Sequence, residues 1–159
     1  MKNKPEMHSM SKQHYGRLLL MIAVSFGSMY ALMYAMVDTF ANVYASFNQF
    51  YMAGLMTAPM AVIELVLMGA MYHNKKLNAV IIAASLVALS GFWILIRQQT
   101  AVSDEQFLRS MIPHHAGALL MCKQASLHDA EIMDLCKTII SGQQSEIDLM
   151  KAKLGQLEK

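Results

Sequence analysis

The chain has 159 residues and a mass of 17.8 kDa, enough for one globular domain or for a small membrane bundle with a short appended domain. Hydrophobic residues make up 55% and charged residues 15% of the sequence, against about 45–50% and about 25% in typical soluble domains. This composition favours the membrane bundle and excludes a disordered chain. The net charge of +2 is too small to indicate nucleic-acid binding, and two cysteines are too few for a four-thiolate zinc site.

Three apolar runs occupy the first two thirds of the chain. They span residues 18–37, 50–72 and 77–96. The only charge within them is Glu64. Because about 20 helical residues cross a hydrocarbon core of roughly 30 Å, the runs predict a membrane domain of three helices over residues 18–97, after a basic tail over residues 1–17. A signal peptide is the alternative for the first run, but that run is too long for one and no A-x-A site follows it.

The distribution of lysine and arginine predicts how these helices are oriented. Four basic residues lie in the tail, none lies between residues 38 and 49, and Lys75 and Lys76 lie in the second turn. The positive-inside rule places the tail and the second turn in the cytoplasm, and everything after Arg97 outside. We therefore expect a bacterial cytoplasmic (inner) membrane protein with a cytoplasmic amino terminus and a periplasmic carboxy-terminal domain.

The segment after residue 102 is charged and amphipathic, with eight acidic and six basic residues. Ser103 and Asp129 are suited to cap two successive helices. On each helix a stripe repeats at alternating steps of three and four, which is typical of helices that pack along a seam. The stripes are Leu108, Met111, His115, Ala118, Cys122 and Ala125 on the first helix, and Met133, Cys136, Ile140, Gln143, Ile147, Met150 and Leu154 on the second.

These stripes predict an antiparallel helical hairpin over residues 103–159. A register that pairs Cys122 with Cys136 also pairs His115 with Gln143, so that polar and sulfur-bearing residues share layers. A hairpin of this length has a small core. We expect it to pack on a second copy, forming a four-helix bundle, or on its own membrane helices.

Two motifs in this segment resemble the domain-of-unknown-function 305 family. They are FLRSMIPHHAGALLMC at residues 107–122 and ISGQQSEIDLM at residues 140–150. The shared features are a Met-Ile-x-His-His motif followed by a methionine, and a second helix with Gln, Glu-Ile and Met. Together the matched residues cover a third of the chain. The resemblance implies a ferritin-like helical bundle, often secreted or membrane-tethered, and an association with the handling of copper and other heavy metals. By motif position it carries over Met111, His114, His115, Met121, Gln143, Glu146 and Met150.

The donor atoms themselves also favour a soft metal ion. Thioether, thiolate and imidazole groups select Cu(I) over ions that prefer oxygen ligands. The predicted metal ligands are His114, His115, Met111, Met121, Met150, Cys122 and Cys136. We expect two or three ligands from each hairpin and the others from a partner copy. The alternative is that the methionines pack in the core and that the histidines make local hydrogen bonds.

Three residues allow more than one interpretation. Cys122 and Cys136 are consistent with a disulfide, with thiolate ligands of copper, or with buried packing. Glu64 is a candidate polar site within the membrane, because an ionised carboxylate is costly there. Nine methionines in the first two runs and none in the third suggest a metal path beside Glu64. Adaptable methionine packing, with a protonated Glu64 bonded to Tyr or Ser of the first helix, is the alternative.

The leading hypothesis is a membrane-anchored binding protein, not an enzyme, that sequesters Cu(I) or Ag(I). We expect a homo-oligomer that hands the ion to a copper transporter or metallochaperone and that binds no nucleic acid. One alternative is a structural oligomerisation module without metal. Another is a di-iron oxidase, but that chemistry requires Glu-x-x-His pairs, and no glutamate in the chain has a histidine three residues later.

Overall fold

A computed structural model describes residues 4–159, with side chains from Gln13 onward, and this part of the chain contains helices without strands. The α-helices are α1 (Lys4–Leu32), α2 (Phe47–Leu67), α3 (Lys75–Gln98), α4 (Asp104–Gln124) and α5 (Ala130–Leu157). Two short 3-10 helices, Met33–Met36 and Phe40–Asn42, lie in the connection between α1 and α2. The expectation of an all-helical protein is confirmed.

Three stretches of the described chain are long and apolar enough to cross a membrane. They are Gln13–Met36, Phe47–Leu67 and Lys75–Gln98. These stretches correspond to the three apolar runs, but α1 begins at Lys4 and therefore includes most of the basic tail. α1 ends at Leu32, where the backbone tightens into a 3-10 turn. The length and composition of the three helices are compatible with membrane association.

The helices form two compact units. The first, called the apolar unit, contains residues through Ala31 together with Phe50–Thr100. The second, called the α4–α5 unit, contains Leu32–Gln49 together with Ala101–Lys159. The second unit thus includes the connection between α1 and α2 as well as the two carboxy-terminal helices.

An aromatic cluster joins the three helices of the apolar unit. The ring centroid of Phe50 on α2 lies 5.0 Å from that of Phe26 on α1 and 6.3 Å from that of Phe92 on α3. The same Phe92 ring occupies the space beside Gly54, where an added Cβ atom would overlap it. The missing side chain at Gly54 therefore lets α2 and α3 approach closely.

The α4 and α5 helices lie side by side and run in opposite directions. A disulfide between Cys122 and Cys136 joins the end of α4 to the start of α5, and an ion pair of 2.7 Å joins Arg109 to Glu158 at the other ends. This observed cysteine pairing is the one that the expected register contained.

Both expected helix caps are present. The Ser103 hydroxyl accepts a hydrogen bond from the backbone N–H of Gln106 at 3.4 Å. The Asp129 carboxylate accepts from the backbone N–H groups of Glu131 and Ile132, both at 3.0 Å. These bonds satisfy donors that the first turn of a helix leaves without intrahelical partners.

The core of the α4–α5 unit differs in one respect from the expected stripes. Its buried residues are Ile112, Ala116 and Leu119 on α4 and Ile147 and Leu154 on α5. On α5 the expected stripe is confirmed at Ile147 and Leu154, whereas Met133 is 45% exposed. On α4 the buried positions lie one residue after Met111, His115 and Ala118, which are only partly buried.

The shift arises because the connection between α1 and α2 covers a second side of α4. At Gly117 an added Cβ atom would lie 3.5 Å from the backbone oxygen of Met36. Lys123 near the end of α4 makes an ion pair of 3.6 Å with Asp38, whose side chain is 7% exposed. The Asn42 amide donates to the Asp38 carboxylate at 2.6 Å. α4 is therefore held between α5 and this connection.

Replacing Gly54 with alanine should destabilise the apolar unit, because the new methyl group requires Phe92 to move. Overpacking of this kind costs about 1–3 kcal/mol, so we expect a lower midpoint of thermal unfolding in detergent. Gly91→Ala is the matched control, since an added Cβ atom there has no neighbour within 4 Å. Equal midpoints for the two variants would contradict the close approach of α2 and α3.

Candidate metal site on α4 and α5

His115 on α4 faces Glu146 on α5 across the helix pair. The distance from His115 Nδ1 to Glu146 Oε2 is 2.9 Å, and the side chains are 15% and 54% exposed. This close contact does not count as a hydrogen bond at Nδ1. A carboxylate beside Nδ1 nevertheless favours the tautomer that keeps the proton there and leaves the Nε2 lone pair free. Metal-binding histidines are commonly held in this way.

His114 occupies a different position from its neighbour. It is exposed, and its ring centroid lies 6.0 Å from that of His115, with 60° between the ring planes. Adjacent helical residues differ by about 100° around the axis. Of the two histidines, His115 contacts α5 through Glu146, and His114 lies on the open side of α4.

Two methionines flank the His115–Glu146 pair along the helices. Met111 lies one turn before His115 on α4, and Met150 lies one turn after Glu146 on α5. Because the helices are antiparallel, these turns extend in the same direction from the pair. Met150 packs against the core, and the Gln143 amide donates to Glu146 at 3.3 Å. The structure thus groups these five residues in neighbouring layers of the helix pair.

The remaining sequence-predicted ligands lie elsewhere. Met121, Cys122 and Cys136 are at the loop end of the helix pair, and Met121 lies nearly two helical turns beyond His115. Of the three interpretations of the cysteines, the structure contains the disulfide, with a Cα–Cα distance of 5.4 Å. Across the described residues, no three His, Cys, Asp or Glu side chains meet in a group that could hold a metal ion. The predicted ligands therefore divide between two places.

Glu64 in the apolar unit has a tyrosine partner. Its carboxylate accepts a hydrogen bond of 3.2 Å from the Tyr72 hydroxyl. Tyr72 belongs to the turn between α2 and α3, not to the first helix, and it is buried with Leu18 and Leu65. Burial raises the pKa of Tyr72, and the hydrogen bond to Glu64 raises this pKa further, so the phenol remains the proton donor.

The residues that hold the connection on α4 belong to no recognisable motif. Besides the ion pair of Asp38 with Lys123, the side chain of Gln106 accepts a hydrogen bond of 3.0 Å from the backbone N–H of Phe47. The sequence contained one indication of this contact with α4: Asp38 is the only charged residue in the connection. A single carboxylate in such a segment requires a partner once it is buried.

Residues 55–154 match the family described as Domain of unknown function (DUF305). The chain belongs to this family. The matched segment includes most of α2 and all of α3 as well as the two motifs, so it is wider than the third of the chain that carried the resemblance. An uncharacterized protein of Acanthamoeba polyphaga mimivirus is 31% identical over 142 residues, which cover 87% of this chain and 91% of the relative. No solved structure matches the chain.

Proposed function

We propose that this member of the 305 family is a membrane-anchored protein whose α4–α5 unit binds Cu(I), or Ag(I), without catalysing a reaction. The observation that supports this most directly is the His115–Glu146 pair, which leaves His115 Nε2 as a donor at the edge of the helix seam. Imidazole combined with thioether ligands favours Cu(I) over harder ions.

The proposed first ligands are His115, Met111 and Met150. Met111 lies one turn from His115 on α4, and Met150 lies one turn from Glu146 on the antiparallel α5. Together the three ligands offer one nitrogen and two sulfur donors, a suitable set for a soft monovalent ion. Glu146 holds the imidazole and does not itself bind the ion. His114 lies on the open side of α4 and supplies a ligand to a second ion or to a partner copy, whereas Met121 lies at the loop end of that side.

The open side of α4 also supports the proposal of a homo-oligomer. Phe107, His114 and Met121 follow one another at intervals of seven residues, and all three are exposed, Phe107 by 51% and Met121 by 54%. Exposed residues at heptad spacing are typical of a helix seam that lacks its partner helix. A second copy on this side completes a four-helix, ferritin-like bundle with the histidines inside it.

The proposed location is a bacterial cytoplasmic membrane, with the amino terminus in the cytoplasm and the α4–α5 unit in the periplasm. The three apolar stretches support the anchor, and the lysine and arginine distribution supports the orientation. A disulfide in the α4–α5 unit agrees with an oxidising compartment. In this location the protein takes up copper and passes it to a transporter or metallochaperone.

One observation favours a second candidate, a structural oligomerisation module without metal. Met150 packs against the buried residues of the α4–α5 unit, as a core methionine does. Under this alternative, the histidines contribute only local polar contacts. Binding measurements on histidine variants separate the two candidates.

The double variant His114→Ala, His115→Ala should lose Cu(I) affinity by tenfold or more, because it removes both imidazole ligands. Glu146→Gln should weaken binding by about tenfold or more, since it removes the group that orients His115. The measurement is competition with a chromophoric Cu(I) chelator on the full-length protein in detergent. His73→Ala is the matched control, because His73 is an exposed histidine in the turn between α2 and α3. Unchanged affinity in the double variant would favour the structural module.

The orientation predicts where the cysteines can be modified in intact bacterial cells. After treatment with a membrane-impermeant reductant, a membrane-impermeant maleimide should label Cys122 and Cys136 from outside. Untreated cells provide the control, because the disulfide leaves no free thiol among the described residues. If labelling required permeabilised cells, the α4–α5 unit would be cytoplasmic and the proposed orientation would be wrong.

A further inference from the structure

Four sulfur-containing residues lie at the loop end of the α4–α5 pair. We call this group the sulfur tip; it consists of Met121 and Cys122 on α4 and Met133 and Cys136 on α5. The cysteines form the disulfide, whereas Met121 is 54% and Met133 45% exposed. Because these thioethers are largely outside the core, core packing does not account for them.

The disulfide of the sulfur tip is one of several contacts within the α4–α5 unit. The buried core lies further along the helices, at Ile112 through Leu119 on α4 and at Ile147 and Leu154 on α5. Near the tip, the ion pair of Lys123 with Asp38 fixes the end of α4. The core and this ion pair are contacts of the α4–α5 unit that do not involve the disulfide.

Opening the disulfide would turn the tip into a set of soft ligands. The Cα atoms are 5.4 Å apart in the disulfide form, so two thiolates at the same helix positions are close enough to bind one ion. Met133 lies one turn before Cys136 on α5, which brings a thioether to the same end of the helix pair. Thiolate and thioether groups are soft ligands, of the kind that bind Cu(I) well.

We propose that the sulfur tip is a second Cu(I) site, gated by the redox state of Cys122 and Cys136. As a disulfide the pair offers no thiolate and the site is closed; as two thiols it binds one Cu(I). This proposal depends on the proposed function only for the identity of the metal, because the ligands differ from His115 and its neighbours.

The reaction that opens the site is thiol–disulfide exchange with an external dithiol. A thiolate of the dithiol attacks one Sγ atom, the Cys122–Cys136 bond breaks, and a mixed disulfide forms. The second thiol of the reductant displaces the remaining cysteine, so the reductant becomes a disulfide and the protein gains two electrons and two protons. Binding of Cu(I) displaces these protons from the two thiols.

The position of the disulfide permits this exchange. Cys122 and Cys136 are partly exposed, and the residues of the adjoining loop, Ala125 to Asp129, are mostly exposed. A small dithiol can therefore reach the disulfide without displacing buried residues. Since Met121 lies nearly two turns beyond His115, filling the tip does not require the ligands proposed at His115.

The test compares oxidised and reduced full-length protein in detergent, both freed of reductant and titrated anaerobically with Cu(I) against a chromophoric chelator. The reduced protein should bind about one more Cu(I) per chain than the oxidised protein, as expected for a two-thiolate site. In Cys122→Ser, Cys136→Ser this difference should vanish. In His114→Ala, His115→Ala it should persist, because those histidines do not belong to the tip.

Equal copper binding by the oxidised and reduced proteins would overturn the redox-gated site. So would a loss of helical circular dichroism on reduction, because the disulfide would then be a structural bond. The histidine variant separates this proposal from the proposed function. If that variant binds Cu(I) normally in the oxidised state but still gains one ion on reduction, the site at His115 is wrong and the sulfur tip stands.

Discussion

The packing of α4 between two different partners determines the arrangement of the whole α4–α5 unit. Ile112 and Leu119 are buried in the core with Ile147 of α5, while Gly117 meets the backbone of the connection at Met36. With two sides occupied, α4 keeps one open side. His115 lies at the border between the covered and open sides, where Glu146 can reach it. Burial of α4 thus sets both the position and the partner of the candidate ligand.

The apolar runs and the capping residues made much of the fold predictable from the sequence. A run of about 20 apolar residues has few alternatives to a membrane-length helix, so α2 and α3 agree closely with the second and third runs. Ser103 and Asp129 marked the helix starts because their oxygens satisfy free backbone donors. The stripes placed Cys122 and Cys136 in one layer but left a disulfide, copper ligation and packing as alternatives, of which the structure contains the disulfide.

The sequence did not reveal which side of α4 is buried. A repeat of three and four residues predicts that one side of the helix is apolar. The centre of the buried side shifts, however, when a second element packs on the same helix. The connection carries no strong motif, so its contact with α4 through Asp38 was not anticipated. For the same reason the candidate ligands were expected as one set, whereas the structure divides them between the surroundings of His115 and the loop end at Cys122.

In this family member, His115 is proposed to bind a soft monovalent metal ion beside Glu146. The most direct measurement is an anomalous difference map from crystals of the full-length protein loaded with Ag(I). The proposal predicts a peak within bonding distance of His115 Nε2, with the sulfur of Met111 or Met150 as a further ligand. A map with silver bound elsewhere in the protein and no peak at His115 would contradict it.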